Sequence, residues 1–462
     1  TQPLSSALLD TSRRHRIHGP EAQIPISPEP LMQTSWQAST QTNDQTQSRS
    51  ARLSRWLCVA AMGALLVACG DPHHNSRENG RTGSDRTNNG GETLPGRNNQ
   101  ACVYQLTGNI SNPSRLENTN AACDYQLIGT VRVQSDLIVS PGVTVRAEPD
   151  AILIIDGGQI DARGTANQPI TFTSMPGADQ IWGGLRIENG LRSQFDYVDI
   201  RNVASTCSAN DCVRGALIVD TASVSFTNST IVGSTNNGFV LQGNGRIDRF
   251  FGNQFIGNQG APVVLPGHAV HELDTASNYR GGSQPNTDAF ILVTTGEQTA
   301  NLTRRWKKLG VPYRIDSNYR VSDGTLLLEP GVQVEFSRDG YLEIQDNGAL
   351  EAAGTTNSLV TLRGVRNEAG YWRGLMLTNS PWRENSLRYT DILNAGADVN
   401  GVAATIHLDN AAIALRNSVM ANNSGVGIAC DAPGSNEPAS ITSIDSDSLI
   451  SGGIGDNCQV LD

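Results

Sequence analysis

The chain has 462 residues and a formal net charge of −11 at pH 7, from 34 Lys and Arg against 45 Asp and Glu. A surplus of negative charge of this size argues against a nucleic-acid partner. Glycine occurs 47 times, and strong helix formers never cluster over long stretches. This composition is typical of many short strands joined by tight turns.

Residues 1–51 are polar, rich in Ser, Thr and Gln, and show no hydrophobic period. We predict that they are disordered, because such a segment cannot bury enough apolar surface to order itself. The segment that follows has the layout of a signal peptide, which begins near the N-terminus of a protein. We therefore interpret residues 1–51 as the product of a start codon assigned too far upstream.

Residues 52–68 combine a basic start, a short apolar centre and a small-residue end. The uncharged run from Trp56 to Ala68 is too short for a membrane-spanning helix, which needs about 20 apolar residues. This layout predicts a secretory signal peptide. A buried helix that happens to end in Cys is the alternative.

The end of this segment, Leu66-Val67-Ala68-Cys69, resembles the lipobox of bacterial lipoproteins. The resemblance implies that the chain is cut before Cys69 and that its thiol carries a diacylglycerol. Together with N-acylation this supplies more than one acyl chain, which stable membrane anchoring requires. Gly70 follows the cysteine, and by resemblance to enteric sorting signals this implies the outer membrane, facing the periplasm or the cell surface.

Residues 69–100 consist mainly of Gly, Asn, Arg and Asp, which predicts a flexible tether. Six cysteines follow it, and an even number of cysteines in an exported chain predicts disulfides. Zinc is the alternative for the CSANDC motif at 207–212, although no second close Cys or His pair accompanies it. The predicted pairs are Cys102 with Cys123, Cys207 with Cys212 and Cys430 with Cys458.

Two long segments repeat one another at a nearly constant offset along the chain, which indicates a repeat architecture. The matched motifs are PGV at 141 and 330, GT at 164 and 354, WGGLRI and WRGLML at 182 and 372, and YVDI and YTDI at 197 and 389. We divide the fold into a first module, 101–312, and a second module, 313–462. Because strand-like motifs also fill residues 245–312, we predict one continuous solenoid.

Apolar residues alternate with polar ones inside each copy, and Gly-rich or Asn-rich turns separate them, which predicts short strands with two inward side chains each. The predicted inward positions are Val143, Val145, Ile152, Ile154, Ile160, Ala162, Ile170, Phe172, Leu185 and Ile187, and in the second copy Val332, Val334, Leu342, Ile344, Leu350, Ala352, Val360, Leu362, Leu375 and Leu377.

The outward face follows from the same alternation. Glu335 and Glu343 are expected to point outward, as surface residues. Leu153 and Ile155, which we align with Glu343 and Gln345, are expected to form an apolar patch on the outside of the first copy.

The pattern PGV…GG…GT…PITFTS…WGGL…YVDI, over about residues 124–460, resembles the β-helix repeat lipoproteins of bacterial envelopes. More widely, it resembles the right-handed parallel β-helix of the pectate-lyase-like superfamily. The resemblance implies an all-β solenoid; a propeller or sandwich also has many short strands, but a single duplication favours a solenoid. With about 22 residues per coil and ~4.8 Å between coils, roughly 15 coils would form a rod of about 70 Å.

Enzymes of this superfamily carry carboxylate clusters on an outer face, so outward carboxylates are the candidates for catalysis. None of them stands beside a basic residue in a recognisable motif, and we interpret them as solvated strand faces or turn caps. We therefore name no catalytic residue and no cofactor. The carboxylates are Asp196, Asp199, Asp391, Asp445 and Asp447.

His268 and His271 are close in sequence, which could suit a metal on a helix, but neither they nor His407 has an evident third ligand. We therefore predict no metal site. Asn228 and Asn417 occupy matched positions in the two copies, and Asn253 has a similar context. These amides are predicted to stack as an internal hydrogen-bonded ladder.

The stretch LTRRWKKLG, 302–310, concentrates four basic residues around Trp306 in an otherwise acidic chain. A solvated turn is one interpretation. The other is an anion contact, for example with phosphate on lipopolysaccharide or with an acidic glycan. The four residues are Arg304, Arg305, Lys307 and Lys308.

These features favour an exported, lipid-anchored protein whose β-helix is a non-catalytic structural or binding module of the cell envelope. Its expected partners are the membrane, through the anchor, and a polysaccharide or an envelope protein. The alternative is a polysaccharide lyase or glycoside hydrolase, because the same fold supports both binding and catalysis.

Overall fold

The computed structural model describes residues 102–177, 181–204, 214–294, 296–380, 385–431 and 439–461. The segments 1–51, 52–68 and 69–100, with Cys69, and the pair Cys207 and Cys212 lie outside the described residues. The described residues form 39 strands and one 3₁₀ helix, Gly267–Glu272. Within these ranges, no helix has the length and apolar character needed to cross a bilayer.

The strands are short, because turns interrupt the chain at each corner of a coil. The strands before the 3₁₀ helix are β1 (Tyr104–Leu106), β2 (Asn109–Ile110), β3 (Ser114–Leu116), β4 (Tyr125–Leu127), β5 (Thr130–Val133), β6 (Asp136–Val139), β7 (Thr144–Ala147), β8 (Ile152–Asp156), β9 (Gln159–Arg163), β10 (Ile170–Ser174), β11 (Gly184–Glu188), β12 (Arg192–Asp196), β13 (Val198–Arg201), β14 (Gly215–Asp220), β15 (Ser223–Thr227), β16 (Thr230–Val232), β17 (Asn237–Gln242), β18 (Arg246–Phe251), β19 (Gln254–Ile256) and β20 (Val263–Pro266).

The strands after the 3₁₀ helix include two long ones that turn a corner without a break. They are β21 (Ile291–Thr294), β22 (Gly296–Gln298), β23 (Thr303–Trp306), β24 (Tyr313–Ile315), β25 (Asn318–Leu328), β26 (Gln333–Phe336), β27 (Tyr341–Ala353), β28 (Val360–Gly364), β29 (Gly374–Thr378), β30 (Asn385–Arg388), β31 (Thr390–Leu393), β32 (Asp398–Val399), β33 (Val402–Asp409), β34 (Ala412–Arg416), β35 (Val419–Ala421), β36 (Val426–Cys430), β37 (Ser440–Ile444), β38 (Leu449–Ile450) and β39 (Gln459–Val460).

Successive coils stack strand on strand, so each sheet joins strands that are about one coil apart in sequence. The first sheet has the order β1-β4-β7-β10-β13-β16-β19, and a six-stranded sheet has the order β18-β15-β12-β9-β6-β3. A fourteen-stranded sheet runs β2-β5-β8-β11-β14-β17-β20-β21-β24-β26-β28-β31-β35-β38, and a twelve-stranded sheet groups β22, β23, β25, β27, β29, β30, β32, β33, β34, β36, β37 and β39. Among the paired strands described, only β32 and β33 are antiparallel. The fold is therefore a parallel β-helix, as predicted.

The coils differ in length. Val131 pairs with Leu153 of the next coil, and Leu153 pairs with Leu185 of the coil after that. The second of these steps covers much more of the chain than the first, so the coil length predicted from the sequence is too short for several coils. The strands stay stacked although the coil lengths differ, because a loop between strands can lengthen without disturbing them.

The inward face is as predicted in the second copy, where Val334 and Ile344 are buried. The prediction of an outer apolar patch at Leu153 and Ile155 is wrong, because both are fully buried in the core. It is Ile154 that faces outward, in register with Arg186 of the next strand.

The physical reason for this error is that the run Ile152–Ile155 has no polar residue to mark its outer side, so the alternation has no phase. Leu153 corresponds to Leu342 of the second copy, and both side chains are buried. The alignment that placed Leu153 opposite Glu343 was therefore shifted by one residue, which exchanges the two faces of a strand.

The two copies do not occupy the same faces of the solenoid. Val145, in β7, lies in the seven-stranded sheet, whereas its repeat partner Val334, in β26, lies in the fourteen-stranded sheet. Leu153 lies in the fourteen-stranded sheet, whereas Leu342 lies in the twelve-stranded sheet. The segment 267–290, which includes the 3₁₀ helix, separates β20 from β21. Equivalent strands are therefore displaced by one face across this segment.

Of the three asparagines predicted to form an internal ladder, only Asn253 is part of one, and its neighbours in that ladder are Ser229 and Ser277. Asn253 is fully buried, accepts from the Ser229 backbone N–H at 3.1 Å and donates to the Phe226 carbonyl at 2.9 Å. Asn228 is exposed and Asn417 half-buried, and each adopts a positive φ, 47° and 49°. Those two asparagines occupy tight turns, which the left-handed tolerance of Asn explains.

Candidate functional site

The basic cluster at 304–308 lies at the end of β23, and its members have different surroundings. Trp306 is buried in the core, so its neighbours on either side point outward. Arg304 Nη1 donates to the His268 carbonyl at 2.6 Å. Lys307 Nζ donates to the carbonyls of His271 and Leu273 at 2.9 and 2.8 Å. Arg304 and Lys307 therefore hold the 3₁₀ helix against β23, and Lys307 meets the carbonyl end of this helix, where a cation is favourable.

The other two basic residues are exposed. Lys308 lines a groove of about 660 Å³ on the outer side of the fourteen-stranded sheet, whereas Arg305 lines neither of the cavities described below. Lys308 lies across Gly331, where a Cβ would come within 2.8 Å of its Cδ. A glycine at this turn thus leaves room for the lysine stem. The structure brings Lys308 together with charged residues of later coils that were not predicted from the sequence.

We call this groove the arginine groove and define it by Arg280, Lys308, Arg314, Arg363 and Glu335, which line it. Arg314 Nη2 lies 2.7 Å from Glu335 Oε2, and Arg363 Nη2 lies 2.6 Å from Glu335 Oε1. Both carboxylate oxygens of Glu335 are therefore occupied. Glu335 points away from the core, as predicted, but it is not a surface residue: it is only 6% exposed, because the two arginines cover it.

The arginine groove has more positive than negative side chains. Asp288 is the second carboxylate in its lining, and Phe290 lies under Arg314, with the guanidinium carbon 3.6 Å from the ring centroid. Four basic groups therefore stand against two carboxylates, a surplus of two positive charges. Stacking on Phe290 fixes the guanidinium plane of Arg314 and contributes a cation–π attraction.

A second cavity, of about 820 Å³, lies between β18 and the 3₁₀ helix. We call it the histidine cleft and define it by Arg246, His268, His271, Glu272 and Arg304, which line it together with Asp248. His271 Nε2 lies 3.0 Å from Glu272 Oε1. His271 holds the pKa of Glu272 below its usual range through this hydrogen bond, despite opposing burial.

His268 has a different environment in the same cleft. Burial, followed by the positive charges of Arg304, His271 and Arg246, lowers the pKa of His268 below the ordinary histidine value. His407 lies elsewhere, on the outer side of β33, and burial is the main cause that lowers its pKa. Within the described ranges, no three His, Cys, Asp or Glu side chains are placed to hold a metal ion.

The outward carboxylates considered for catalysis are dispersed over several faces, and their hydrogen bonds are those of turns and strand surfaces. Asp199 pairs with Arg201 at 2.6 Å, and Asp196 accepts from Thr227 and Asn228 at 2.7 and 2.8 Å. Asp445 accepts from Asn417 and Ser448. Asp391 is half-buried, and burial raises its pKa.

Comparison with known proteins agrees with the geometry of the coils. Residues 108–191 match the family model of the pectate-lyase-like β-helix domain. No curated protein and no solved structure matches the chain. The matched residues include strands of three sheets, β2 to β11. The chain therefore resembles the pectate-lyase-like β-helix proteins in sequence over 108–191 and in fold, as predicted.

Proposed function

We propose that the protein is an exported, lipid-anchored β-helix that binds an acidic glycan in the arginine groove without cleaving it. The observation that carries this proposal is the surplus of two positive charges in a groove of an otherwise acidic protein. Guanidinium groups recognise carboxylate, sulfate and phosphate through paired hydrogen bonds.

The arrangement of the groove supports binding more than catalysis. Glu335, the best-buried carboxylate of the groove, has both oxygens engaged by Arg314 and Arg363. Both oxygens of this carboxylate are thus already bound by the protein and are not free to contact a substrate. The same bonds orient the arginines before a ligand arrives.

The proposed location depends on the signal peptide and on Cys69. The disulfides Cys102–Cys123 and Cys430–Cys458 support export, because disulfides persist in oxidising compartments. The lipid anchor would attach the protein to the outer membrane, and an acidic glycan or phosphorylated lipopolysaccharide of the envelope would then be within reach of the groove.

An acidic-glycan array, coupled to mass analysis of the glycans afterwards, tests the binding proposal. Lys308→Glu and Arg280→Glu should weaken binding about three- to tenfold each, since an exposed ion pair contributes up to about 1 kcal/mol, and added salt should weaken it further. Arg305→Glu is the matched control: it makes the same change of charge on an exposed residue outside both cavities.

Two results would contradict the proposal. If Arg305→Glu weakens binding as much as Lys308→Glu, the interaction reflects overall charge and not the groove. If the array glycans are recovered shortened or with new double bonds, the protein is a hydrolase or a lyase.

The anchor has its own test. Cys69→Ser should abolish lipid attachment and move the protein from the membrane to the soluble fraction, because lipidation would require the thiol. Mass spectrometry of the mature N-terminus measures this directly. A Cys69→Ser protein that still carries lipid would contradict the assignment of the lipobox.

A further inference from the structure

The histidine cleft is lined by two guanidinium groups, those of Arg246 and Arg304, and by two carboxylates. Its two carboxylates already have partners: Asp248 Oδ2 lies 2.8 Å from Arg192 Nε, and Glu272 pairs with His271. Within the described residues, neither Arg246 nor Arg304 forms an ion pair with a carboxylate. Two guanidinium groups thus line one cavity without an acidic partner.

Arg304 is held in position by the protein itself. Its Nη1 donates to the His268 carbonyl and lies 3.1 Å from Nδ1 and 3.3 Å from Nε2 of His271. His271 therefore orients Arg304. Among the described residues, no hydrogen bond engages Nη2 of Arg304, and its Nε is buried without a partner.

His268 completes this arrangement. Its ring lines the cleft and is half-buried, and the ring makes no hydrogen bond within the described ranges. The charged groups around it are Arg246 and Asp248 on β18, His271 and Glu272 on the 3₁₀ helix, and Arg304 on β23. Lys307, also on the β23 side, is close enough to lower the pKa of Glu272.

We propose that the histidine cleft is a second anion site, in which an oxyanion binds between Arg246 and Arg304 and is completed by protonated His268. The ligand is an oxyanion: a sulfate or phosphate ester, or a carboxylate. Binding experiments with one probe of each kind distinguish them. This site is independent of the arginine groove, with which it shares no lining residue.

The proposal has a consequence for pH dependence. In the empty cleft, burial and the neighbouring cations disfavour the charged form of His268. An oxyanion removes much of that disadvantage, so the pKa of His268 rises on binding and a proton is taken up. Affinity should therefore increase as pH falls through the histidine range. Without an anion, the pKa of His268 is lower in the folded protein than in the unfolded chain. Protonation of His268 therefore lowers the free energy of unfolding as the pH falls below the ordinary pKa of histidine.

Histidine NMR spectroscopy of the full chain tests the site, because the sequence has only seven histidines. Sulfate and glucuronate serve as probes, each compared with chloride at equal ionic strength, since both stay fully ionised through the histidine range. The pKa of His268, assigned from the signal lost in His268→Gln, should rise by about one unit with at least one probe. The dissociation constant should fall about three- to tenfold between roughly pH 7.5 and roughly pH 5.5.

Variants separate the site from general charge effects. Arg246→Gln should remove the rise in the pKa of His268, whereas Arg249→Gln, an exposed arginine of the same strand that does not line the cleft, should preserve it. In His268→Gln the affinity should no longer depend on pH. A response to sulfate alone indicates a site for a sulfate or phosphate group, and a response to glucuronate alone indicates a site for a carboxylate.

The proposal is overturned if the pKa of His268 is the same with chloride, sulfate and glucuronate. It is also overturned if the shift survives in Arg246→Gln. Because Lys308→Glu and Arg280→Glu leave the histidine cleft unchanged, loss of glycan binding in those variants bears on the arginine groove alone.

Discussion

Glu335 shows how one outward side chain can behave as a core residue. Its neighbours along β26, Val334 and Phe336, are buried in the interior, and Glu335 is buried on the opposite side of the sheet by Arg314 and Arg363. A carboxylate at such low exposure is tolerated because its oxygens are fully engaged by the two guanidinium groups. Removing it leaves two arginines facing each other without a counter-charge.

We expect Glu335→Gln to lower the free energy of unfolding by roughly 2–4 kcal/mol, because it breaks a largely buried charge network. Glu343→Gln is the matched control: Glu343 forms a pair with Arg320 at 2.7 Å in a more exposed position, where such pairs contribute about 1 kcal/mol or less. Denaturant titration of both variants measures the difference. Equal effects would show that burial of Glu335 does not determine its contribution.

At the scale of elements, the turns of the coils use buried polar side chains to satisfy backbone groups where the chain leaves a strand. Asn253 connects the Ser229 N–H to the Phe226 carbonyl of the preceding coil. Asn258 and Asn286 form a second ladder, joined at 2.9 Å. A buried corner without such amides would leave backbone donors and acceptors unpaired, which costs free energy at every coil.

Asn253→Ala should therefore destabilise the protein by about 2–3 kcal/mol, since it leaves both a backbone donor and a backbone acceptor buried without a partner. Asn228→Gly should change stability by less than about 1 kcal/mol, because Asn228 is exposed and glycine readily adopts its positive φ. Thermal unfolding of both variants provides the comparison. A larger loss in Asn228→Gly than in Asn253→Ala would exclude the buried ladder as the stabilising element.

At the scale of the whole molecule, a solenoid has its least supported coils at the ends of the described stack, since each coil is stabilised by its neighbours. Two of the three disulfides predicted from the sequence lie there and are confirmed. Cys102 and Cys123 precede β1 and β4, and Cys430–Cys458 joins β36 to the residue before β39. Each bridge links neighbouring coils and so limits their separation.

Replacing Cys430 and Cys458 together by Ser should increase hydrogen exchange in β36 to β39 and leave β7 to β17 protected, with a stability cost of about 2–4 kcal/mol. The Cys102/Cys123 double variant should act in the same way on β1 to β4. A non-reducing digest should also yield a third linked peptide, Cys207–Cys212. Free thiols or zinc at that position would contradict the third bridge.

The sequence alone determined the repeat, the parallel β-helix, two cysteine pairs and most of the inward residues, because alternation and self-similarity are local or periodic properties. It could not determine the phase of Ile152–Ile155, which has no polar residue to mark a face. The sequence also could not predict that Arg314, Glu335 and Arg363 contact one another. These residues lie on three successive coils, and their alignment can be predicted only when the length of each coil is known.

Only the tertiary structure showed that the second copy is displaced by one face relative to the first. Turn lengths vary freely without changing how strands stack, so the offset between the two copies need not equal a whole number of coils. The sequence grouped Arg304, Arg305, Lys307 and Lys308 as one cluster. The fold separates them, because strand geometry and the 3₁₀ helix direct Arg304 into the histidine cleft and Lys308 into the arginine groove.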